Sequence, residues 1–454
     1  MLRVHDTARG QTVDFDPREP GKVSMYVCGP TVYDVPHIGH GRFALVFDVI
    51  RRYLEWTGLD VRFVSNITDI EDKIINKAKE EGRSTEAVVE EYTAAWYDAL
   101  DALGVRRPDA DPRATGYVDQ MVAFIADLVD RGRAYETPDG VYFIVETLEG
   151  YGLLARQSLE SLKAGAGDRA VFGEDHKRSP ADFALWKKAK PNEPAWDSPW
   201  EQGRPGWHIE CTVMALDLLG DGFDFHGGGD DLCFPHHENE RAQALGAGHT
   251  YARYWLHNGM VNAGGQKMSK STGNFTSLTD LLTKVDPRAY RLLVLRAHYR
   301  SPIEVTGENL ADATEAVGRL DNLVRRTAAL LAADTSPEAD ALDRFRAAMD
   351  DDFNTPGATA VLFDLVRAAN GALDAGDESS AAAKTAAALE IASALGLETR
   401  VVDDDVDDAS AALAAERDAA RAAKDFARAD QIRDELLALG WVIEDTPSGT
   451  RLTR

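Results

Sequence analysis

The sequence predicts an α/β protein: a Rossmann-like parallel-sheet domain with an insertion, followed by an α-helical bundle and a small C-terminal domain. Three observations predict this. A strand–loop–helix–strand unit lies near the start, an Ala-rich helical stretch begins near residue 305, and the acidic run Asp403 to Asp408 sets off a short final segment. At roughly 150 residues per domain, 454 residues also suit about three domains.

The elements follow in order. Val23 to Cys28 reads as a short buried strand, with Val23, Met25 and Val27 on one face. The Gly- and Pro-containing loop Cys28–Pro36 leads into an amphipathic helix near Gly39. Its Phe43, Phe47, Ile50 and Leu54 have helical spacing, and Gly58 ends it. Val61 to Ser65 is a second strand, so a parallel sheet that binds ligands at its strand C-termini is expected. Residues 111–199 are placed as an insertion between two halves of this domain, 1–110 and 200–250. Strand and glycine signals resume at Phe223–Gly229. A linking region, 251–305, contains the turn Ala263-Gly264-Gly265 before Lys267. The helical bundle is placed at 306–400. Asp286-Pro287 and Thr355-Pro356 mark helix starts, the latter with Thr as N-cap and Pro as the first helical residue. Residues 409–454 form the last region, one long helix ending at Gly440 and then Trp441-Val442-Ile443.

Composition narrows the function classes. Hydrophobic residues make up 44%, charged residues 28% and aromatic residues 8%, a globular profile. No run reaches the ~18 apolar residues of a membrane span. The segment Met1–Asp6 lacks the apolar stretch of a secretory signal. Three cysteines are too few for a disulfide framework. A cytoplasmic chain with no membrane partner is expected. The formal net charge is −26, with 36 Arg against 14 Lys. Such a charge repels nucleic acid at long range unless salt screens it. One reading is a protein that never meets nucleic acid. The preferred reading is a salt-adapted protein whose basic residues are confined to a working face.

Two constellations carry chemistry. Cys28 sits at a strand C-terminus, Cys211 follows Trp207-His208-Ile209-Glu210, and His236 and Glu240 stand four apart on a helix. Two thiolates, an imidazole and a carboxylate can form a zinc shell, although the spacing matches no standard finger. Two buried cysteines beside a surface His-Glu helix remain the alternative. Cys233 is a rival ligand, but its apolar flank favours packing, and His237 lies about 100° round the helix from His236. In the second constellation, Pro36-His37-Ile38-Gly39-His40 falls at a helix N-terminus, where unpaired N–H groups and the dipole favour an anion. His37 and His40 can then donate to one phosphate. Lys267-Met268-Ser269-Lys270-Ser271 adds two ammonium groups suited to a transferring phosphate.

His37-Ile38-Gly39-His40 followed by Lys267-Met268-Ser269-Lys270-Ser271 resembles the paired motifs of class I aminoacyl-tRNA synthetases. The stretches Tyr26–Asp34, Asn66–Ile70, Gly203–Cys211, His226–Gly229 and Phe234–Glu240 are similar to the cysteinyl-tRNA synthetase family. So are Lys424-Asp425-Phe426 through Arg433 and Glu444-Asp445-Thr446-Pro447. The resemblance covers essentially the whole chain. Asp230, where a small polar residue would be expected, is a mild departure. The resemblance implies that the sheet domain is catalytic and that L-cysteine is joined to tRNA(Cys) through a cysteinyl-adenylate. It implies one zinc ion per subunit on Cys28, Cys211, His236 and Glu240, and magnesium with ATP. His37 and His40 would contact ATP, and Lys270 would clamp the phosphates with Lys267 assisting. Gly227 and Gly229 would let adenosine approach the backbone. Asp231 would meet the ribose or the substrate amino group. Cys28 and Trp207 would face the substrate side chain, whose thiolate would add a fifth zinc ligand that a serine hydroxyl fills poorly.

In the last helix, Arg417, Arg421, Lys424 and Arg428 are spaced 4, 3 and 4 and would share one stripe. That stripe is either a solvated face or a tRNA-backbone contact. Trp441 with Arg451 and Arg454 would suit unstacked anticodon bases. A monomer is expected. The alternative is a related ligase that joins cysteine to an amino sugar in thiol biosynthesis, and the C-terminal tail argues against it.

Overall fold

A computed structural model describes residues 1–161, 176–191, 193–263, 266–267, 277–332, 334–400, 407–446 and 449–453. The chain divides into two units, 1–398 and 399–454.

The first unit opens with the hairpin β1 (Arg3–Asp6) and β2 (Gln11–Asp14). Strand β3 (Lys22–Val27) leads through the loop into helix α1 (Ile38–Trp56), which ends at Thr57 and Gly58. Gly58 has φ +92°, a turn conformation that favours glycine. Strand β4 (Asp60–Ser65) then pairs parallel to β3, from Lys22 opposite Asp60 to Val27 opposite Ser65. After the insertion, β9 (Phe225–Gly229) pairs on the other side of β3 and β10 (Tyr254–Asn258) pairs with β9, both parallel. The four-stranded order is β10-β9-β3-β4, the predicted parallel sheet. Alternation sorts its two faces. Val23, Met25 and Val27 pack with Phe47, Ile50 and Leu54 of α1. Tyr26 and Val64 pack with Cys28, Cys211 and Phe143.

The insertion is a second sheet, all antiparallel, formed by β5 (Ala134–Thr137), β6 (Gly140–Phe143), β7 (Phe183–Lys188) and β8 (Gly203–Pro205). Its fourth strand lies beyond residue 199. Gly203 allows that strand to close on β7, because a Cβ there would overlap the Lys187 carbonyl oxygen. Downstream, β11 (Val261–Ala263) pairs antiparallel with β12 (Gln266–Lys267) and parallel with β13 (Ile303–Val305). Helices then span 307–327, 339–349, 355–374 and 378–394. Asn354, not Thr355, caps the third, its Oδ1 accepting from Gly357 N at 2.9 Å. Thr355 is buried, and its hydroxyl donates to the Ala297 carbonyl at 3.3 Å instead.

One buried ion pair ties these parts together. Arg291 donates to Asp48 Oδ2 of α1 at 2.7 Å, to the Leu103 and Gly104 carbonyls at 3.0 Å, and to the Leu395 carbonyl at 3.3 Å. Burial opposes ionisation of Asp48, but Arg291 and Arg52 outweigh it and hold the carboxyl below its ordinary value.

The second unit corrects the expected single long helix. Residues 408–422 and 426–438 form two helices, and Lys424 stands between them at φ +60°. Asp425 caps the second helix, accepting from Arg428 N at 3.1 Å. The hairpin β14 (Val442–Thr446) and β15 (Gly449–Thr453) completes the unit.

Asp48→Asn removes one partner of a fully buried pair and is expected to cost about 3–5 kcal/mol. The contribution of a carboxyl with a lowered native pKa is present above its unfolded value of about 3.9 and lost as pH falls through the native one. The gap in thermal midpoint between wild type and variant is therefore expected to be wide at pH 7 and to narrow below about pH 4.

Candidate active site

Four predicted donors converge where β3 ends. Cys28 follows β3, and its N–H donates to the Gly227 carbonyl at 3.1 Å. Cys211 lies on the helix 207–219, His236 in the kinked turn 233–237 just before the next helix, and Glu240 in the first turn of that helix, 238–246. Their ligand atoms lie within 4.8 Å of one another, and all four residues are buried. The Cys28 thiol points at Glu240 Oε1 at 3.3 Å, and His236 Nε2 stands 3.1 Å from the same oxygen. Burial pushes both thiols up, and the neighbouring Glu240 carboxylate adds to this. Burial pushes His236 down to about 4, so its imidazole is neutral at pH 7.

Supporting contacts orient this set. His236 Nδ1 meets His208 Nδ1 at 2.9 Å. With Nε2 as the ligand atom, His236 Nδ1–H donates to His208, an arrangement that fixes the ring in metal sites. Glu240 Oε2 accepts from the Tyr251 hydroxyl at 2.8 Å and faces His226 Nε2 at 2.8 Å. Two thiols and a carboxylate share this buried space, and as thiolates they would repel unless a cation lay among them, so the donor set fits a metal ion. A second set, Cys28, His226, His237 and Glu240, shares two of these donors. Cys233 is not among them; its thiol donates to the Leu154 carbonyl at 3.3 Å, as its apolar flank predicts. Sequence reasoning does not single out His226, His208 and Tyr251 as support. His226 carries a signal in its strand, where it follows Phe225 and points to the opposite face.

The second constellation sits at the start of α1. His37 is the N-cap, and the two imidazoles stack with centroids 3.7 Å apart. His37 Nδ1 accepts from His40 N at 3.3 Å, and His40 Nδ1 accepts from His37 N at 3.2 Å. An Nδ1 that accepts a backbone N–H leaves the ring proton on Nε2, so each ring presents a donor there. The observed cap role and the expected phosphate-donor role are therefore compatible in the His37 side chain. Ser277 bridges His37, and Leu278 N donates to the Pro36 carbonyl at 2.8 Å, so the chain after residue 276 returns to this loop. The Lys267 backbone lies in β12 opposite Asn262. The Lys267 side chain and all of Lys270 lie outside the described residues.

The glycine run has mixed reasons. A Cβ at Gly227 would overlap the edge of the Phe47 ring, and one at Gly228 would meet His237, so these glycines permit packing within the chain. Gly229 is half-buried and Asp231 is exposed beside it. Trp207 is half-buried with its ring 4.2 Å from that of His236, which makes it a wall of the donor cluster.

The basic stripe does not form. Arg417 is buried and donates to Thr450 Oγ1 at 2.6 Å. Arg428 pairs with Glu416 at 2.8 Å. Only Arg421 and Lys424 of the four are exposed, because the break at Lys424 ends the common helical face. Trp441 is 1% exposed and donates to Ser410 Oγ at 2.8 Å, so it is core and no stacking platform. Among the described residues the exposed aromatic is Phe426, at 64%, in the family-like stretch Lys424–Arg433. The Arg451 side chain and Arg454 lie outside the described residues.

Solved structures share this architecture. A methionyl-tRNA synthetase of Mycobacterium tuberculosis matches with TM-score 0.60 at 17% identity, over 82% of this chain and 89% of that one. An Agrobacterium radiobacter LeuRS ternary complex matches with TM-score 0.64 at 11% identity, over 84% and 85%. The fold is that of the class I aminoacyl-tRNA synthetases. Residues 14–315 match the family of class I (C) tRNA synthetase catalytic domains, 344–399 the DALR domain, and 403–451 the cysteinyl-tRNA ligase anticodon binding domain. Cysteine--tRNA ligases of Halorhodospira halophila and Methylobacillus flagellatus are each 47% identical over the full length of both chains. The chain belongs to the cysteine--tRNA ligase family of enzymes.

The packing of α1 on β9 yields a test. Gly227→Ala places a methyl group against the buried Phe47 ring and is expected to cost about 1–3 kcal/mol. Phe47→Leu in the same chain should recover part of that loss. Thermal unfolding of the two variants and their combination measures the coupling; simple additivity would exclude this contact as the cause.

Proposed function

We propose that this enzyme activates L-cysteine with ATP, transfers it to tRNA(Cys), and uses zinc on Cys28, Cys211, His236 and Glu240 to choose cysteine over serine. The convergence of those four buried donors carries the reading. When bound, zinc supplies a soft Lewis-acid seat that suits a thiolate and suits a hydroxyl poorly. Trp207, packed on His236, bounds the side-chain space.

Activation needs no general base. The cysteine carboxylate, already ionised, attacks the α-phosphorus of ATP, and pyrophosphate leaves. The α1 N-terminus and the Nε2–H donors of His37 and His40 stabilise charge developing on the phosphates, with magnesium accompanying ATP. Lys267 would approach from β12 and assist Lys270 on the phosphates, and Ser277 bridges His37 where the described chain resumes. Gly229 and Asp231, which is exposed, would meet the nucleoside or the substrate amino group. A tRNA terminal hydroxyl then attacks the aminoacyl carbonyl and AMP leaves. The anticodon-domain match over 403–451 favours tRNA over an amino-sugar acceptor. Arg421 and Lys424 are the proposed tRNA-backbone contacts, with Phe426 beside them as a stacking surface. No helix among the described residues is long and apolar enough to cross a membrane. A cytoplasmic monomer is part of this proposal.

The deciding experiment is ATP–pyrophosphate exchange with cysteine or serine, with and without a chelator, followed by charging of total tRNA. A pocket alone separates such isosteres by about 10²-fold. Preference for cysteine well beyond that, lost on chelation and restored by zinc, is expected. Equal use of serine would remove the zinc role, and exchange without charging would remove the tRNA acceptor. In a second test, Arg421→Glu with Lys424→Glu should lower the slope of log tRNA affinity against log salt by about 2 while leaving exchange unchanged.

A further inference from the structure

Arg42 is wholly buried in α1, five residues after the His37 cap, and makes no ion pair among the described residues. Main-chain carbonyls answer its charge instead. One guanidinium nitrogen donates to Met260 O at 2.8 Å; the other donates to Tyr299 O at 3.0 Å, to His298 O at 3.4 Å and to Ser301 O. Burial pulls its pKa down only to about 10, so the group stays charged at neutral pH.

The carbonyls belong to two chain segments. Met260 immediately precedes β11, and Ser301 lies just before β13. The segments already meet there: Gly259 N donates to Tyr299 O at 2.8 Å and Ile303 N to Met260 O at 3.0 Å. Gly259 makes the approach possible, since a Cβ would stand 2.6 Å from the Arg300 and Ser301 carbonyl oxygens. Strand β11 turns back into β12, which carries Lys267. A single side chain therefore pins the helix that presents His37 and His40 to the strands that present Lys267.

We propose that Arg42 is a positioning residue for adenylate formation: its planar fork, spanning Met260 and Tyr299–Ser301, sets the spacing between the His37–His40 pair and the Lys267 strand. The inference rests on the activation chemistry proposed above. A lysine ammonium is a compact point donor and does not present the rigid fork that bridges the two segments. Misplacement of reacting groups by about 1 Å costs about 10²-fold in rate.

Arg42→Lys and Arg42→Met are the test variants. Both are expected to lose about 10²-fold in kcat of cysteine-dependent ATP–pyrophosphate exchange. KM for cysteine and the bound zinc per chain should stay within about twofold of wild type, since the metal donors lie on the other face of the sheet. Backbone hydrogen exchange supplies a readout independent of activity. The amides of 259–263 and 299–305 should exchange faster in the variants, and those around Asp48 and Arg291 should not. Retention of kcat in both variants, or parallel loss of kcat, zinc and cysteine affinity, would overturn the proposal. If wild type itself shows no exchange, the activation chemistry fails instead; unchanged amide protection at 259–263 would then overturn the positioning role separately.

Discussion

The register of β3 between β4 and β9 is the constraint on which the site depends. Parallel pairing places Val27 opposite Ser65 on one side and Gly227 on the other. The residues just past each strand must then emerge side by side: Cys28 and its loop, Asn66, and the turn through Asp231. Two hydrogen bonds lock the crossing, Cys28 N to Gly227 O at 3.1 Å and Gly29 N to Asn66 Oδ1 at 2.8 Å. The lock requires glycine at 29, because a Cβ would overlap the Asn66 carbonyl oxygen. Because side chains alternate across a strand, a slip of one residue would turn Tyr26 and His226 away from Cys211 and Glu240 and toward α1. One strand thus supplies Cys28 and leads directly into the loop that ends at the His37 cap.

The two faces of that sheet solve the burial of charge in opposite ways. On the face of Cys28 and Cys211, two thiols and a carboxylate gather among imidazoles, a set that could hold a metal ion. On the face of α1, guanidinium groups are buried instead, with carbonyls around Arg42 and Asp48 beside Arg291. An isolated buried charge is too costly to persist, so each of these groups dictates its surroundings. The interior polar groups therefore act as joints. Arg291 joins α1 to the end of the bundle at Leu395, Arg42 joins α1 to β11 and β13, and Glu240 joins three elements around the donors.

How legible each element is in the sequence depends on how local its signal is. The alternation of Val23, Met25 and Val27 and the spacing of Phe47, Ile50 and Leu54 depend on neighbours, and the first strand and helix emerge as predicted. The last helix was illegible for the same reason. Its Ala-rich composition favours helix throughout, so nothing local ends it except Lys424 in a left-handed conformation, which lysine rarely adopts, and the Asp425 cap. At the site, the four donors could be singled out by residue type and spacing, supported by family motifs. His208, Tyr251 and Arg42 could not, because their roles arise from partners far along the chain. Burial of Arg417 and Trp441 was hidden likewise: charge and aromaticity suggested a surface, while a hairpin residue, Thr450, and a helix residue, Ser410, turned them inward.

The same joints bear on the composition. The excess of 36 Arg over 14 Lys invites a reading as surface adaptation to salt. Yet Arg42, Arg204, Arg291 and Arg417 are all buried, and no lysine is buried among the described residues. Arg42 and Arg291 each hold several carbonyls from distant segments, a task for a planar, always-charged fork and not for a compact ammonium. Part of the arginine bias is therefore interior carpentry that any member of this fold with such joints would need, whatever its solvent. The acidic surplus is different in kind. The net charge of −26 acts through solvent, and a surface of that sign repels a polyanion until salt screens it. Salt adaptation has to rest on that surplus alone, and the exposed pair Arg421 and Lys424 then matters as a local exception to the sign of the whole.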